Sequence, residues 1–200
     1  MDHLRYSGLS FETQRTAFLD IVSADPLIDE TLSRVRALGL PDWLVVSGAL
    51  YNSVWNHLTG KPSGYGIKDV DLFYFDESDL SYEAEDSVIA RAAPVFADLS
   101  LPVEIRNQAR VHLWYPSKFG RSCPRYTSSS DSLGYFASQT HAVGVRFDMD
   151  GQLDLVAPFG LDDIFSFRIT PNRLMDNQQT HETKGARAKE NWPEISVVPW

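Results

Sequence analysis

SGALYNSVWNHLTGKPSGYGIKDVDLFYF, Ser47 to Phe75, is the stretch on which the reading of this chain turns. Its closing segment, Ile67–Phe75, is an apolar strand pattern interrupted by Asp69 and Asp71. Side chains two apart on a strand share a face. Two carboxylates held side by side repel, and folding alone gives no reason to accept that cost. With Val70, Leu72, Phe73, Tyr74 and Phe75 around them, they belong to a strand expected to be largely buried, where unpaired charge is expensive. A shared hard cation, Mg²⁺ or Mn²⁺, relieves both problems. At the other end of the stretch, Gly48 follows an apolar run and opens a helix pattern, with Leu50, Val54 and Leu58 four apart. A helix N-terminus has unpaired amides and partial positive charge, which suit phosphate. Taken alone, Gly48 reads first as an ordinary strand-to-helix turn.

Upstream, Ser10 is positioned to cap a helix carrying Phe11, Phe18, Ile21 and Val22 on one side. Asp25-Pro26 is an N-cap and first-turn pair for a second helix, stopped by Gly39 and Pro41. Trp43 to Val46 reads as a short buried strand, and TGKPSGYG as a flexible loop. Downstream, a helical stretch with Val88, Ala92, Val95 and Leu99 aligned contains Pro94, which predicts a kink or split. Val103 to Arg106 is a short strand with Pro102 at its start or on an edge, and Asn107 caps a helix over 108–116. Residues 120–132 read as a serine-rich loop, and 143–157 as a hairpin closed by a two-residue Asp150-Gly151 turn. GLDDIFSF gives one or two helical turns, and a polar tail holds a helix near 178–190. Helices and strands interleave, so the expected class is α/β or α+β, a mixed sheet with flanking helices. One domain over 1–200 is expected, with N-terminal helices to residue 40, a core over 41–170 and a tail over 171–200.

Composition narrows the functions. The chain has 200 residues, 43% hydrophobic and 12% aromatic, enough for a real core. Its formal net charge of −9 makes it a poor non-specific binder of nucleic acid. A single cysteine, Cys123, excludes an internal disulfide. No run approaches the ~20 apolar residues of a membrane span, and MDHLRYSGLS lacks the apolar core of a signal peptide. The expectation is a cytoplasmic protein. None of the five histidines stands at zinc-site spacing, and GxSxG, CxxC and P-loop patterns are missing.

A third carboxylate, Glu104, lies between Val103 and Ile105 and can face the same cation if its strand pairs beside the first. Glycine at a strand–helix turn, an apolar Asp-x-Asp strand and a third acid on a later strand resemble the nucleotidyltransferases of the DNA polymerase beta superfamily. IKDVDLFYFD, VEIRNQARVHLWY, HAVGVRF and APFGLDDIF look like a narrower bacterial family of nucleotidyltransferase-like proteins of unassigned substrate. That resemblance runs from about residue 43 to the end. It implies a polymerase-beta-like nucleotidyltransferase fold and metal ligation by Asp69, Asp71 and Glu104. It also implies transfer of a nucleoside monophosphate from a triphosphate to a hydroxyl acceptor. Gly48 occupies the family's glycine turn.

Two departures accompany it. The usual Ser or Gly after the glycine is Ala49 here, although Ser47 precedes it, and Gly48 stands 21 positions before Asp69, a wide gap that the loop 59–67 absorbs. Lys184 and Arg187 share a helix face and are either triphosphate contacts or a solvated basic face. Arg106 is either an ion-pair partner of the acids or a phosphate contact. Lys68 alternates to the opposite face, and Asp154 is a reserve third acid. A non-catalytic nucleotide-binding or interaction module is the alternative, and a metal-dependent glycosyltransferase a weaker one. The acidic charge favours a small-molecule or protein acceptor over long nucleic acid.

Overall fold

The computed structural model describes residues 2–200. Two capped amphipathic helices open it. The Ser10 hydroxyl accepts from the Thr13 amide at 3.3 Å and starts α1 (Phe11–Ala24), which buries Phe18, Ile21 and Val22. Phe11 leaves that stripe: it sits in the first turn, 46% exposed, while Gln14 is buried and donates to Asp162. Asp25 accepts from the Leu27 amide at 3.0 Å, Pro26 fits the first turn, and α2 (Pro26–Leu38) ends on Gly39 at φ 63°.

The chain then enters the middle of a five-stranded sheet, ordered β3-β2-β1-β4-β5. Its strands are β1 (Leu44–Val46), β2 (Val70–Tyr74), β3 (Val103–Asn107), β4 (Gly144–Phe147) and β5 (Leu153–Val156). β1 is antiparallel to β2 and β4, β4 is antiparallel to β5, and β2 is parallel to β3. This is the expected mixed sheet. One face carries Val45, Val70, Leu72, Tyr74, Ile105 and Val145 into the main core, under α1, α2, α3 (Gly48–Thr59) and α4 (Tyr82–Phe96). The other face is thinly covered. Leu44 and Val46 pack with Leu133 and Ala142, and Phe73 and Phe136 are partly buried against them. Strand alternation therefore sends Asp71, Glu104 and Arg106 to this half-open face. The reading of β2 as buried on both sides is corrected: Asp71 and Phe73 are only partly covered.

The register of β2 and β3 is held at their C-terminal ends. Asn107 donates to the Asp76 carbonyl at 2.7 Å and accepts from the Asp76 and Ala109 amides. Glu85 of α4 accepts from the Asn107 amide at 2.7 Å and pairs with Arg110, both carboxylate and guanidinium being buried. Arg110 also donates to the Leu80 carbonyl at 2.9 Å. A buried ion pair this well supplied with hydrogen bonds fixes where β3 ends.

Three local expectations are corrected. Pro94 does not split α4, which runs on to Phe96; it falls in the last turn, where the amide bond it removes is followed by only two more helical residues. The serine-rich segment is not all loop: Ser128 accepts from the Asp131 amide at 2.9 Å and caps α6 (Ser129–Leu133). The hairpin turn is longer than two residues. Asp148 and Gln152 still pair, Gly151 donates to the Asp148 carbonyl at 3.1 Å, and Gly151 has φ 78°, a type I turn closed by a left-handed glycine. Asn107 does cap the next helical segment, a 3₁₀ turn at Gln108–Arg110 leading into α5 (Val111–Phe119).

The C-terminal segment packs into the body. After α7 (Asp162–Phe165) and β6 (Arg168–Ile169), α8 (Gln178–Asn191) leads to β7 (Ser196–Val197), which pairs with β6. Trp192 is fully buried, and its indole donates to Asn56 Oδ1 at 3.1 Å. Among the described residues, no helix is long and apolar enough to cross a membrane.

Candidate active site

The turn from β1 into α3 is tighter at Ser47 than at Gly48. Ser47 has φ 59° and ψ −120°, a conformation that costs a non-glycine residue energy. It is held there by donation of its amide to the Val143 carbonyl at 2.8 Å. Its own carbonyl accepts from Leu50 and Tyr51. The amides of Gly48 and Ala49 precede these first helical bonds, so they have no partner within the helix. Gly48 itself has an ordinary helical backbone. A Cβ built there would meet nothing closer than Asn52 Nδ2 at 3.8 Å and Tyr51 Oη at 3.9 Å. The space above Gly48 is therefore open, and a phosphate can reach the backbone there.

The long gap to Asp69 is taken up by α3 and a pinned loop, which corrects the expectation of a flexible one. Asn56 donates to the Tyr65 carbonyl at 2.9 Å, the Lys61 ammonium lies over the Tyr65 ring, and Arg187 donates to the Gly66 carbonyl at 3.3 Å. Gly66 has φ 70°, and a Cβ there would fall 2.5 Å from Trp192 Cη2, so only glycine fits. Asp69 immediately precedes β2. Asp71 pairs across the ladder with Val46 on one side and Glu104 on the other. The expected placement of Glu104 on a neighbouring strand, in line with Asp71, is what the register gives.

The carboxylates sense one another. Burial drives the Asp71 carboxyl up from 3.8 to about 6; Lys184 and Arg106 pull against this, while Asp69 and Glu104 push with it. Glu104 is half-exposed and lies 3.6 Å from Arg106, its strand mate two positions on. Among the described residues, no three His, Cys, Asp or Glu side chains are drawn tightly enough together to form a ready cation cage. The donor set is nevertheless all oxygen, which suits a hard divalent ion.

Lys184 and Arg187 of α8 line the cleft over the α3 N-terminus together with Ser47, Gly48, Asp69 and Asp71. The cleft also includes residues that sequence reasoning passed over. Asn52 lies four positions after Gly48, hence on the same helix face, and its Oδ1 is buried without a hydrogen-bond partner. The available signal was its spacing, one helical turn after Gly48. Lys68 lines the same cleft; the alternation that sent it away fails because β2 begins only at Val70. Tyr51 is buried beside Asp71, and burial and that negative charge keep its phenol protonated. His141 stacks on Tyr51 at 4.8 Å and is held neutral by burial and by Lys184. Asp154 is no reserve ligand: it lies on β5, at the far edge of the sheet, paired with Arg146 at 3.3 Å.

Comparison with known proteins bears on the fold and the family. A solved structure described as revealing a CCA-adding enzyme head domain superposes with a TM-score of 0.76 at 25% identity, covering 92% of this chain and 96% of that one. No protein of curated function matches. The profile of the nucleotidyltransferase family matches residues 33–197. The chain belongs to the nucleotidyltransferase family.

Proposed function

We propose that the chain transfers a nucleoside monophosphate from a nucleoside triphosphate to a hydroxyl acceptor, with Mg²⁺ or Mn²⁺ as cofactor. The observation that carries this reading is the row Asp71–Glu104 across two parallel strands, with Asp69 just before it, beside a helix N-terminus whose first amides are unpaired. Asp69, Asp71 and Glu104 would hold the metal, which supplies charge neutralisation and polarisation of the phosphoryl oxygens. The Gly48 and Ala49 amides, with Lys184 and Arg187, bind and orient the polyphosphate. Ser47 fixes the angle at which α3 meets it. Neutral Tyr51 Oη and Asn52 Nδ2, the two side-chain atoms nearest the open space above Gly48, donate uncharged hydrogen bonds near the phosphates. The −9 net charge favours a small-molecule or protein acceptor over long nucleic acid.

The test is pyrophosphate release together with thermal shift. A non-hydrolysable triphosphate with Mg²⁺ should raise the melting temperature, and Asp69→Asn should remove the Mg²⁺-dependent part while leaving the fold intact. Unfolding of Asp69→Asn would show the aspartate to be structural. A second reading is a non-catalytic nucleotide-binding module. It is favoured by one observation, the outward lean of Glu104 toward Arg106. It predicts the same thermal shift with no pyrophosphate release for any acceptor.

A further inference from the structure

Asp71 stands on the seam between two clefts. The first is the polar one over the α3 N-terminus. The second shares with it only Ser47, Asp71 and Lys184, and extends the other way, past Phe73 and Arg106 toward α5 and the segment 126–137. It encloses about 340 Å³, room for a small molecule. Its walls are aromatic. Phe73 meets Phe136 edge-on at 6.0 Å, Tyr126 leans on Tyr135 at 5.1 Å, and Trp114 lies beside Tyr115 at 6.1 Å. Its charges are Arg106, Lys118 and Lys184 against Asp71 alone, a positive balance in an acidic protein. In the same wall His141, 1% exposed, has Nε2 buried with no hydrogen-bond partner.

Displacement at phosphorus is in line, so the attacking oxygen enters opposite the leaving one. With the leaving pyrophosphate over the α3 N-terminus, attack comes from the far side of Asp71, which is the second cleft. We propose that this cleft seats the acceptor, and that the acceptor is a small aromatic molecule, neutral or anionic, bearing the attacking hydroxyl. Its aromatic and cationic lining selects against polycations by charge and favours rings by stacking. The acceptor oxygen bonds to the α-phosphorus, the bond to the bridging oxygen breaks with its electron pair leaving on pyrophosphate, and the hydroxyl proton passes to water. The acceptor role rests on the nucleotidyl-transfer reading; the binding of an aromatic anion does not.

The probe is 8-anilinonaphthalene-1-sulfonate, an aromatic anion, titrated by fluorescence into the full chain. Expected are one saturable site and at least tenfold weaker binding in Trp114→Ala and in Lys118→Glu, with Asp69→Asn binding as the parent does. Lys118 is exposed, so its variant keeps the test open if Trp114→Ala misfolds. No saturable binding, or binding indifferent to both variants, overturns the proposal. Mg²⁺ with a non-hydrolysable triphosphate should leave the probe in place. Displacement by that analogue, with none by inorganic tripolyphosphate, would assign the cleft to the donor's base and overturn the acceptor assignment. Pyrophosphate release should follow phenols and aryl carboxylates bearing a hydroxyl, and fall at least tenfold in Trp114→Ala. Release with aliphatic polyamines alone would refute it. A chain that binds the probe but shows no triphosphate-dependent thermal shift would sink the transfer reading and leave the aromatic-anion site standing.

Discussion

Gly48→Ala separates a phosphate seat from a mere turn. At this position the backbone is helical and the added methyl would lie 3.8 Å from Asn52 Nδ2 and 3.9 Å from Tyr51 Oη, both ordinary contacts. Inside the protein the substitution is therefore free of steric cost. Alanine is about 0.5–1 kcal/mol better than glycine in a helix, and somewhat less at its first position. For a chain of this size, 1 kcal/mol moves the melting temperature by about 2–4 °C. Gly48→Ala should thus melt at the parent temperature or about 1–4 °C above it. Toward the cleft the methyl occupies the space where a phosphate would approach the Gly48 and Ala49 amides. Affinity for a non-hydrolysable triphosphate should drop at least tenfold, about 1.4 kcal/mol, read by calorimetric titration in the presence of Mg²⁺. Stability and binding move in opposite directions, which no general destabilisation can mimic. A variant that binds the triphosphate as tightly as the parent would refute the reasoning, since Gly48 would then only be filling a turn.

Three other outcomes follow from the packing. Asp71→Asn should stabilise the metal-free protein at pH 7: the native carboxyl is raised from 3.8 to about 6, so the native state holds its proton longer than the unfolded chain and parent stability falls as pH rises through that window. Urea unfolding should show a gain of about 3 kcal/mol at pH 7 that vanishes below about pH 4, and an equal gain at both would break the argument. Glu85→Ala should cost about 3–5 kcal/mol, because it strands Arg110 in a buried site and frees the Asn107 amide; a loss under about 1 kcal/mol would mean the pair is dispensable. Gly66→Ala should cost about 1–3 kcal/mol, from a left-handed φ of 70° and a Cβ only 2.5 Å from the Trp192 ring, and should weaken triphosphate binding as well; unchanged melting would contradict the contact.

The parts of this molecule that were legible in the sequence are those fixed locally. Ser10, Asp25 and Gly39 announce the first two helices because capping is a matter of a few neighbouring atoms. Alternation on β2 put Asp71 opposite Val70 and Leu72, and the structure keeps that division between core and cleft. The alignment of Glu104 with Asp71 was conditional on two strands pairing, and the register is set by Asn107 and Glu85, contacts that no periodicity reveals. The aromatic cleft was illegible for the same reason. Trp114 and Tyr115 on α5 stand partly covered and line the same cleft as Phe73, more than 30 positions away in sequence. Lys68 was misplaced because strand alternation was carried two residues too far into the loop.

The embrace of Gly66 by Trp192 has a consequence for how the molecule comes into being. The acidic half of the site is complete once the ribosome has made β3, whereas the cationic half and the indole that locks the loop arrive with residues 184–192. The Asn56–Trp192 hydrogen bond spans 136 positions. During synthesis the chain therefore carries these carboxylates with only Lys68 and Arg106 as cationic neighbours until α8 emerges, and competence to hold a polyphosphate waits for that helix to dock.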